Sequence, residues 1–530
     1  TREGLLGEAG DAPAGKSAVY YTLFLTGVAT IAPAYFGYTL GFTSPSLLPM
    51  EASKAHGVFP SSVADAGGIG STQGSYFGSL VNVGCMIGGL LSAPVSNLAG
   101  RKWAITLAAV PWCLSWAWIA YRSTFAELVV ARILSGIATG IVSAAVPTFL
   151  NEVAPTSIRG AVGAVNQLAV TVGIWLVYFL GFMLEEKGQL TVYSCDAAGP
   201  NKGCEDIVKE WSCDADTHKC VGPLSSWRDL AWVASGIGAL MFVCALTLLP
   251  ETPAFLASKG KLGAARRVLL QLRETVEEAE RDLQSLQPAA INDEGVAAML
   301  PSAEADAAGM KHAEAANRPT AFDQLRALFE KGVRMQFGIG CALMLAQQFS
   351  GINAVIFFSS EILVEAGMDN TSLGTVIIGS VQVGATAVSV LLMDRAGRRP
   401  LLLFSLAAMM CSAGLMAVFF FNGKNPPALA LVALMCYIIG FSLGLGPIPW
   451  LIMGEIFPTH VRAAASAVAT VLNWTCSFIV TLTFQDLADA MTPGGVFTAF
   501  AAICLFFFAF VFKYVPETRG KTFEEIASLF

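Results

Sequence analysis

Two adjacent glutamines and an asparagine stand in "QQFSGINAVIFFSS" (347–360), a stretch otherwise apolar enough for lipid. An unpaired amide in hydrocarbon costs several kcal/mol, so Gln347, Gln348 and Asn353 must each be compensated. A carboxamide offers a donor and an acceptor without carrying charge. Such groups either hold helices together or line a path for a neutral polar ligand.

The elements that must position them follow from composition. The 530 residues are 55% hydrophobic and only 13% charged, against about 25% charged in soluble domains. The chain therefore belongs in a membrane, with the lipid bilayer as its first partner. A net charge of −7 without a basic cluster disfavours nucleic acid as another.

Apolar stretches of about 20 residues, the length that crosses roughly 30 Å of hydrocarbon, number six between residues 19 and 250 and six more between 336 and 515. The expected fold is an all-α integral membrane protein of twelve transmembrane helices, two six-helix pseudo-repeats around a central cavity. Short basic loops at Arg101, Arg159, Arg398 and Arg462 share one side if the spans alternate, and the positive-inside rule makes that side and both termini cytoplasmic. The expected divisions are a tail (1–17), a first half (18–256), a cytoplasmic linker (257–335), a second half (336–515) and a second tail (516–530).

Two features test this topology. Cys195, Cys204, Cys213 and Cys220 fall in the loop near 185–228, assigned outside, where an even set favours two disulfides of open pairing over a zinc site. Asn370-Thr371-Ser372 is a glycosylation sequon in another outer loop. In the linker, Leu262, Val268, Leu269 and Leu272 beside charges predict short amphipathic helices, and residues 287–320 read as a flexible insertion.

The halves echo one another: "NLAGRK" (97–102) with "DRAGRR" (394–399), and "NEVAPTSIRG" (151–160) with "GEIFPTHVRA" (454–463). A duplicated six-span unit is the trace of a parallel-repeat carrier with its site near the midplane, between the halves. No nucleotide loop, His-rich motif or soluble domain supports an enzyme, and no cofactor or metal is expected.

These motifs, with "FGYTLGFTSP" (36–45), "NQLAVTVGI" (166–174), "PETPAFL" (250–256), "GPIPWLIMGEIFP" (446–458) and "PETRGKTFEEI" (516–526), resemble the sugar porter family of the major facilitator superfamily from about Tyr35 to Glu525. Within it, the chain looks most like the intracellular class of facilitative hexose transporters. The resemblance implies a monomeric carrier in the plasma membrane or an endomembrane. Sugar hydroxyls would bond to Gln167, Gln347, Gln348 and Asn353, with Gln382 at the family's asparagine position and Trp450 and Phe36 as apolar faces. Several bonds of about 0.5–1.5 kcal/mol net would give weak, reversible binding.

Gly351 is expected to break span seven and turn the three amides toward one cavity. Phe357 and Phe358 stand where the family often has outer-gate tyrosines, so this gate is expected to close by apolar packing. Arg101, Glu152, Arg159, Asp394, Arg398, Glu455 and Arg462 would form the family's cytoplasmic latch between the halves, although Asn97 replaces one common Asp. Arg132, within span four, would cost about 2.5–3.5 kcal/mol at mid-membrane and is expected to snorkel or to pair within the bundle. Thr39 stands where proton-driven members carry Asp, and Ser442 where related facilitators often carry Glu. No carboxylate or His is expected at the membrane centre of spans one, seven, eight or ten. The reading is energy-independent hexose uniport, glucose first, with a proton-coupled carrier or a non-transporting sensor as alternatives.

Overall fold

The structure, a computed structural model, describes residues 15–52, 72–122, 124–155, 158–191, 212–214, 219–286, 326–330, 332–368, 370–424, 426–458, 461–519, 521, 525–526 and 529–530. Among the described residues, eleven helical runs are long and apolar enough to cross a membrane. The last, Ala464–Tyr514, has 51 residues, about 76 Å of helix at 1.5 Å per residue, which is two crossings. It breaks at Thr492 (φ 67°, ψ 156°), just before Pro493, where proline removes a donor and clashes with the preceding turn. Twelve spans result.

Span one is three segments, Gly15–Ala29, Ile31–Gly41 and Thr43–Ala52. Spans two to six are Thr72–Leu98, Arg101–Tyr121, Phe125–Val153, Arg159–Met183 and Trp227–Leu248. Span seven is again three segments, Arg334–Phe349, Ile352–Phe357 and Ser359–Glu365. Span eight is Thr371–Ala396, span nine Arg398–Phe421, and span ten Pro427–Leu443 with Ile448–Ile456. Spans eleven and twelve share Arg462–Tyr514.

The packing repeats with the sequence. In the first half, span two lies on four, three on six and one on five; in the second, eight lies on ten, while seven and nine pack on the 462–514 helix. Spans two and four approach closely because glycines face backbone: a Cβ at Gly84 would sit 2.1 Å from the Ile133 carbonyl, and one at Gly136 2.1 Å from that of Val81. Small residues of this kind let membrane helices pack without a hydrophobic driving force.

Outside the bundle, helices Pro253–Ser258, Leu262–Leu272 and Val276–Ser285 follow span six. Leu269 packs with Ala265, Ala279 and Leu283 in a small separate core, Leu272 is buried against the bundle, and Arg273 donates to the Val153 carbonyl at 3.1 Å. The expected insertion at 287–320 lies outside the described residues. The first helix starts at Gly15, within the stretch read as a tail.

One element departs from an all-helical chain. Strands β1 (Glu185–Thr191), β2 (Ser212–Asp214) and β3 (Lys219–Ser225) form a small antiparallel sheet in the order β1-β3-β2. Helical periodicity cannot flag strands this short and polar. Cys213 stands opposite Cys220 in the β2/β3 register; their side chains, and all of Cys195 and Cys204, lie outside the described residues. Among those described, the eight cysteines within spans are free thiols.

Candidate substrate site and its gates

Span seven breaks at Ser350-Gly351. Gly351 adopts φ +93°, and a Cβ there would lie 2.4 Å from the Phe500 ring, so backbone and space both demand glycine. The break exposes carbonyls that the surroundings satisfy: Ser350 Oγ donates to the Gln347 carbonyl at 2.8 Å, and the Tyr437 hydroxyl donates to that of Ser350.

Gln348 and Asn353 bond to each other, and all three amides bond to span eleven. Gln347 Nε2 donates to the carbonyls of Leu445 and Gly446, in the bend of span ten, at 2.9 and 2.8 Å. Its Oε1 accepts from Asn473 Nδ2 at 2.8 Å. Gln348 Nε2 donates to Asn473 Oδ1 at 3.1 Å, and Asn353 Nδ2 donates to Gln348 Oε1 at 2.8 Å and to Ser477 Oγ at 2.7 Å. This neutral cluster lies at the meeting of spans seven, ten and eleven.

The other expected site residues are less committed. The amides of Gln167 and Gln382 make no hydrogen bond among the described residues, although Gln382 is only 2% exposed. Phe36 packs edge-on to Trp474 at 5.8 Å, and Trp450 is half-buried in the second segment of span ten. Thr39 Oγ1 donates to the Tyr35 carbonyl at 3.0 Å. Arg132 is fully buried, so it does not snorkel. It donates to the carbonyls of Phe77 and Thr39 at 3.3 and 3.1 Å and to Thr43 Oγ1 at 2.8 Å, and its guanidinium lies 4.8 Å from the Phe77 ring centre. Carbonyl dipoles and aromatic faces thus replace a carboxylate partner.

Toward the face bearing the sequon, the halves meet. Phe357 and Phe358 are buried, and Phe358 stacks on Phe484 at 5.4 Å. Hydroxyl bonds also close this seam, contrary to the expectation of apolar packing alone, because neighbours supply them. The Tyr178 hydroxyl donates to the Ile356 carbonyl at 2.7 Å, Ser44 Oγ meets Ser360 Oγ at 2.9 Å, and Trp175 Nε1 donates to Ser380 Oγ at 3.0 Å. Glu361, 3% exposed, places a carboxylate in the last segment of span seven, Ser359–Glu365. Asn370, the sequon residue, caps span eight by accepting from Leu373 N at 2.7 Å.

At the opposite, arginine-rich face, each half builds one clamp. In the first, Arg101 pairs with Glu152 at 2.9 Å, and Thr252 Oγ1 donates to the other Glu152 oxygen at 2.5 Å. Glu251 Oε1 accepts the N–H groups of Arg101, Lys102 and Thr252. In the second, Arg398 pairs with Glu455 at 3.1 Å, Thr518 Oγ1 donates to Glu455 Oε2 at 2.6 Å, and Glu517 accepts the N–H groups of Arg398, Arg399 and Arg519. Both described pairs close within their own half. Arg462 Nε donates to the Phe457 carbonyl at 3.1 Å, whereas the side chains of Arg159 and Asp394 lie outside the described residues.

Sequence reasoning passed over several of these groups. Asn473, Ser477, Thr481 and Gln485 recur every four residues along span eleven, one face of a helix, so their spacing was the available signal. Glu251 and Glu517 sit in "PET" triplets that follow spans six and twelve, a repeat as clear as those of the arginine loops.

Twelve crossings in two repeated halves, with a neutral amide cluster at the break in span seven, define a membrane carrier rather than an enzyme. The chain belongs to the family described as sugar (and other) transporter, which it matches over residues 25–530. It is 32% identical to Sugar transporter ERD6-like 6 of Arabidopsis thaliana, over 95% of this chain and 89% of that protein. It is likewise 32% identical to the Facilitated trehalose transporter Tret1-2 homolog of Drosophila sechellia, over 92% and 87%. Its fold matches the major facilitator superfamily proton:xylose symporter XylE bound to 6-bromo-6-deoxy-D-glucose, with TM-score 0.71 and 24% identity over 96% of this chain and 99% of that one. The xylose transporter XylE from E. coli in a partially occluded inward open conformation also matches, at TM-score 0.71 and 23% identity over 95% and 100%.

Proposed function

We propose that the chain moves a hexose, glucose in the first place, down its gradient by alternating access. The observation that carries this reading is the uncharged cluster of Gln347, Gln348, Asn353 and Asn473 at the span-seven break, with the amides of Gln167 and Gln382 on spans five and eight unbonded among the described residues. Carboxamides match sugar hydroxyls bond for bond without attracting ions. The arrangement in hand is closed toward the sequon face, where the cross-half bonds lie. With the arginine-rich face cytoplasmic, it is the stage in which the site opens inward and the latch between halves is parted.

Uniport is supported by the surroundings of span one, where Thr39 hydrogen-bonds within its own helix and Arg132 is held by carbonyls and rings. Glu361 lies eight residues beyond Asn353, roughly 12 Å along a helix, on the gate rather than among the amides. Trehalose is a second reading, favoured by the relatives named for it. The deciding experiment is labelled glucose uptake into proteoliposomes, with and without an imposed proton gradient and with trehalose as competitor. Saturable equilibration indifferent to the gradient supports the proposal. Gradient-driven accumulation would replace uniport with symport, and uptake of trehalose alone would replace the cargo.

A further inference from the structure

The four polar side chains of span eleven do not serve one half alone. Asn473 bonds to the span-seven glutamines. Ser477, one turn on, accepts from Asn353 Nδ2 at 2.7 Å and donates to Asn82 Oδ1 at 3.0 Å. Asn82 belongs to span two, in the other half; it is fully buried, and its Nδ2 donates to Thr481 Oγ1 at 3.1 Å. Two turns nearer the sequon face, Ser75 donates to Gln485. Asn353, a member of the amide cluster, is thus joined through one hydroxyl to an amide of the opposite half.

We propose that Asn82 is the positioning residue through which the substrate site holds the sequon-facing seam closed, an inference that rests on the carrier reading above. Both ends of its amide are spent on span eleven, so the halves cannot part there without breaking two bonds. Asn353 fixes the Ser477 hydroxyl by donating to it, which leaves the Ser477 proton aimed at Asn82. A cargo hydroxyl that takes the Asn353 N–H for itself frees Ser477 to turn back to a carbonyl of its own helix. The bond to Asn82 is then lost, and occupancy of the site loosens the seam.

The test is hydrogen exchange of the full chain in lipid nanodiscs, comparing wild type with Asn82→Leu, which keeps the side chain's bulk and removes both bonds. Interhelical bonds in membranes are individually modest, so two together should raise exchange of the seam amides near 43–47 and 356–360 about five- to tenfold. Glucose should raise the same amides in wild type and add little in the variant. Exchange within about twofold of wild type overturns the proposal. Should Asn82→Leu fail to fold, Thr481→Val and Ser477→Ala each remove one Asn82 bond from the other side, and unchanged exchange in both overturns it equally. A seam loosened by Asn82→Leu but indifferent to glucose leaves Asn82 as a seam residue and overturns its tie to the sugar site. The uptake assay separately decides whether glucose is the cargo at all.

Discussion

The two clamps at the arginine-rich face use the same parts and differ in one carboxylate. Glu251 and Glu517 each sit at the N-terminus of a span, three and nine, where the helix dipole and free N–H groups favour an anion. Glu251 directs all three of its backbone bonds to Oε1 and buries Oε2 without a hydrogen bond. Glu517 spends both oxygens, Oε1 on Arg398 and Arg519 and Oε2 on Arg399. The ionisation follows from this. Burial pushes the Glu251 carboxyl above its ordinary value, and its hydrogen bonds do not fully offset it. Burial acts on Glu517 as well, but the backbone N–H groups outweigh it and hold the carboxyl below. A duplicated motif has thus become one strained clamp and one satisfied clamp.

The largest expected effect comes from the glycines that admit these carboxylates. Gly100 (φ 104°, ψ 167°) and Gly397 (φ 88°, ψ 167°) occupy a region that essentially only glycine adopts. A Cβ at Gly100 would lie 2.1 Å from Glu251 Oε2 and 2.9 Å from the Phe255 ring, whereas one at Gly397 would lie 2.7 Å from Glu517 Oε2. Gly100→Ala should cost about 2–4 kcal/mol and Gly397→Ala about 1–3, read as melting temperature in detergent. Equal losses would mean that the backbone, not the carboxylate, sets the cost. A parallel contrast holds at the proposed substrate site, where the second half would supply the interlocked amides and the first Gln167. Gln348→Ala takes the donor from Asn473 Oδ1 and one of the two acceptors from Asn353 Nδ2, and should weaken glucose uptake about 10- to 100-fold in KM. Gln167→Ala, which breaks no side-chain bond among the described residues, should weaken it less; the reverse order would place the binding energy in the first half.

How much of this was legible depends on what each feature needs. Twelve spans and the duplicated halves follow from hydropathy and repeated loops, because bilayer thickness fixes span length and arginines mark one face. Gly351 was legible for a similar local reason: a glycine between polar residues in a membrane helix marks a break. The partners were not. Asn473 meets Gln347 and Gln348 across 126 and 125 residues of chain, and only the packing of span seven on span eleven brings them together. Asn82 follows Ser75 and Ser79 at helical spacing in span two, but nothing local to that helix says that span eleven supplies its partners. The roles of Glu251 and Glu517 were concealed differently: their triplets were visible, but nothing in them says that the chain returns to the start of spans three and nine.

Replacing the carboxylates by amides sharpens the contrast between clamps. A carboxamide has one oxygen, which suffices at position 251 because all three donors converge on Oε1. At 517 the amide's NH2 must face an N–H of Arg398, Arg399 or Arg519, a donor against a donor. Glu517→Gln should therefore cost about 1–3 kcal/mol, and Glu251→Gln less than about 1. Matching losses in thermal stability at neutral pH would show that charge, rather than the number of accepting oxygens, distinguishes the halves.

The smallest effect is the most discriminating, because its sign differs between the halves. Glu251 has a raised folded-state pKa, so its contribution is fully present below the ordinary value of 4.5 and is lost as pH rises through the raised one. Glu517 has a depressed pKa, so its contribution is present above 4.5 and is lost as pH falls through the folded-state value. Relative to wild type, Glu251→Gln should gain in melting temperature between pH 4 and pH 7, because only the wild type is ionising a buried carboxyl in that window. Glu517→Gln should lose ground over the same rise, as the wild type acquires the anion that its N–H groups hold. Two profiles sloping the same way would mean that the unbonded Oε2 of Glu251 is solvated after all, and that the clamps differ in geometry without differing in charge.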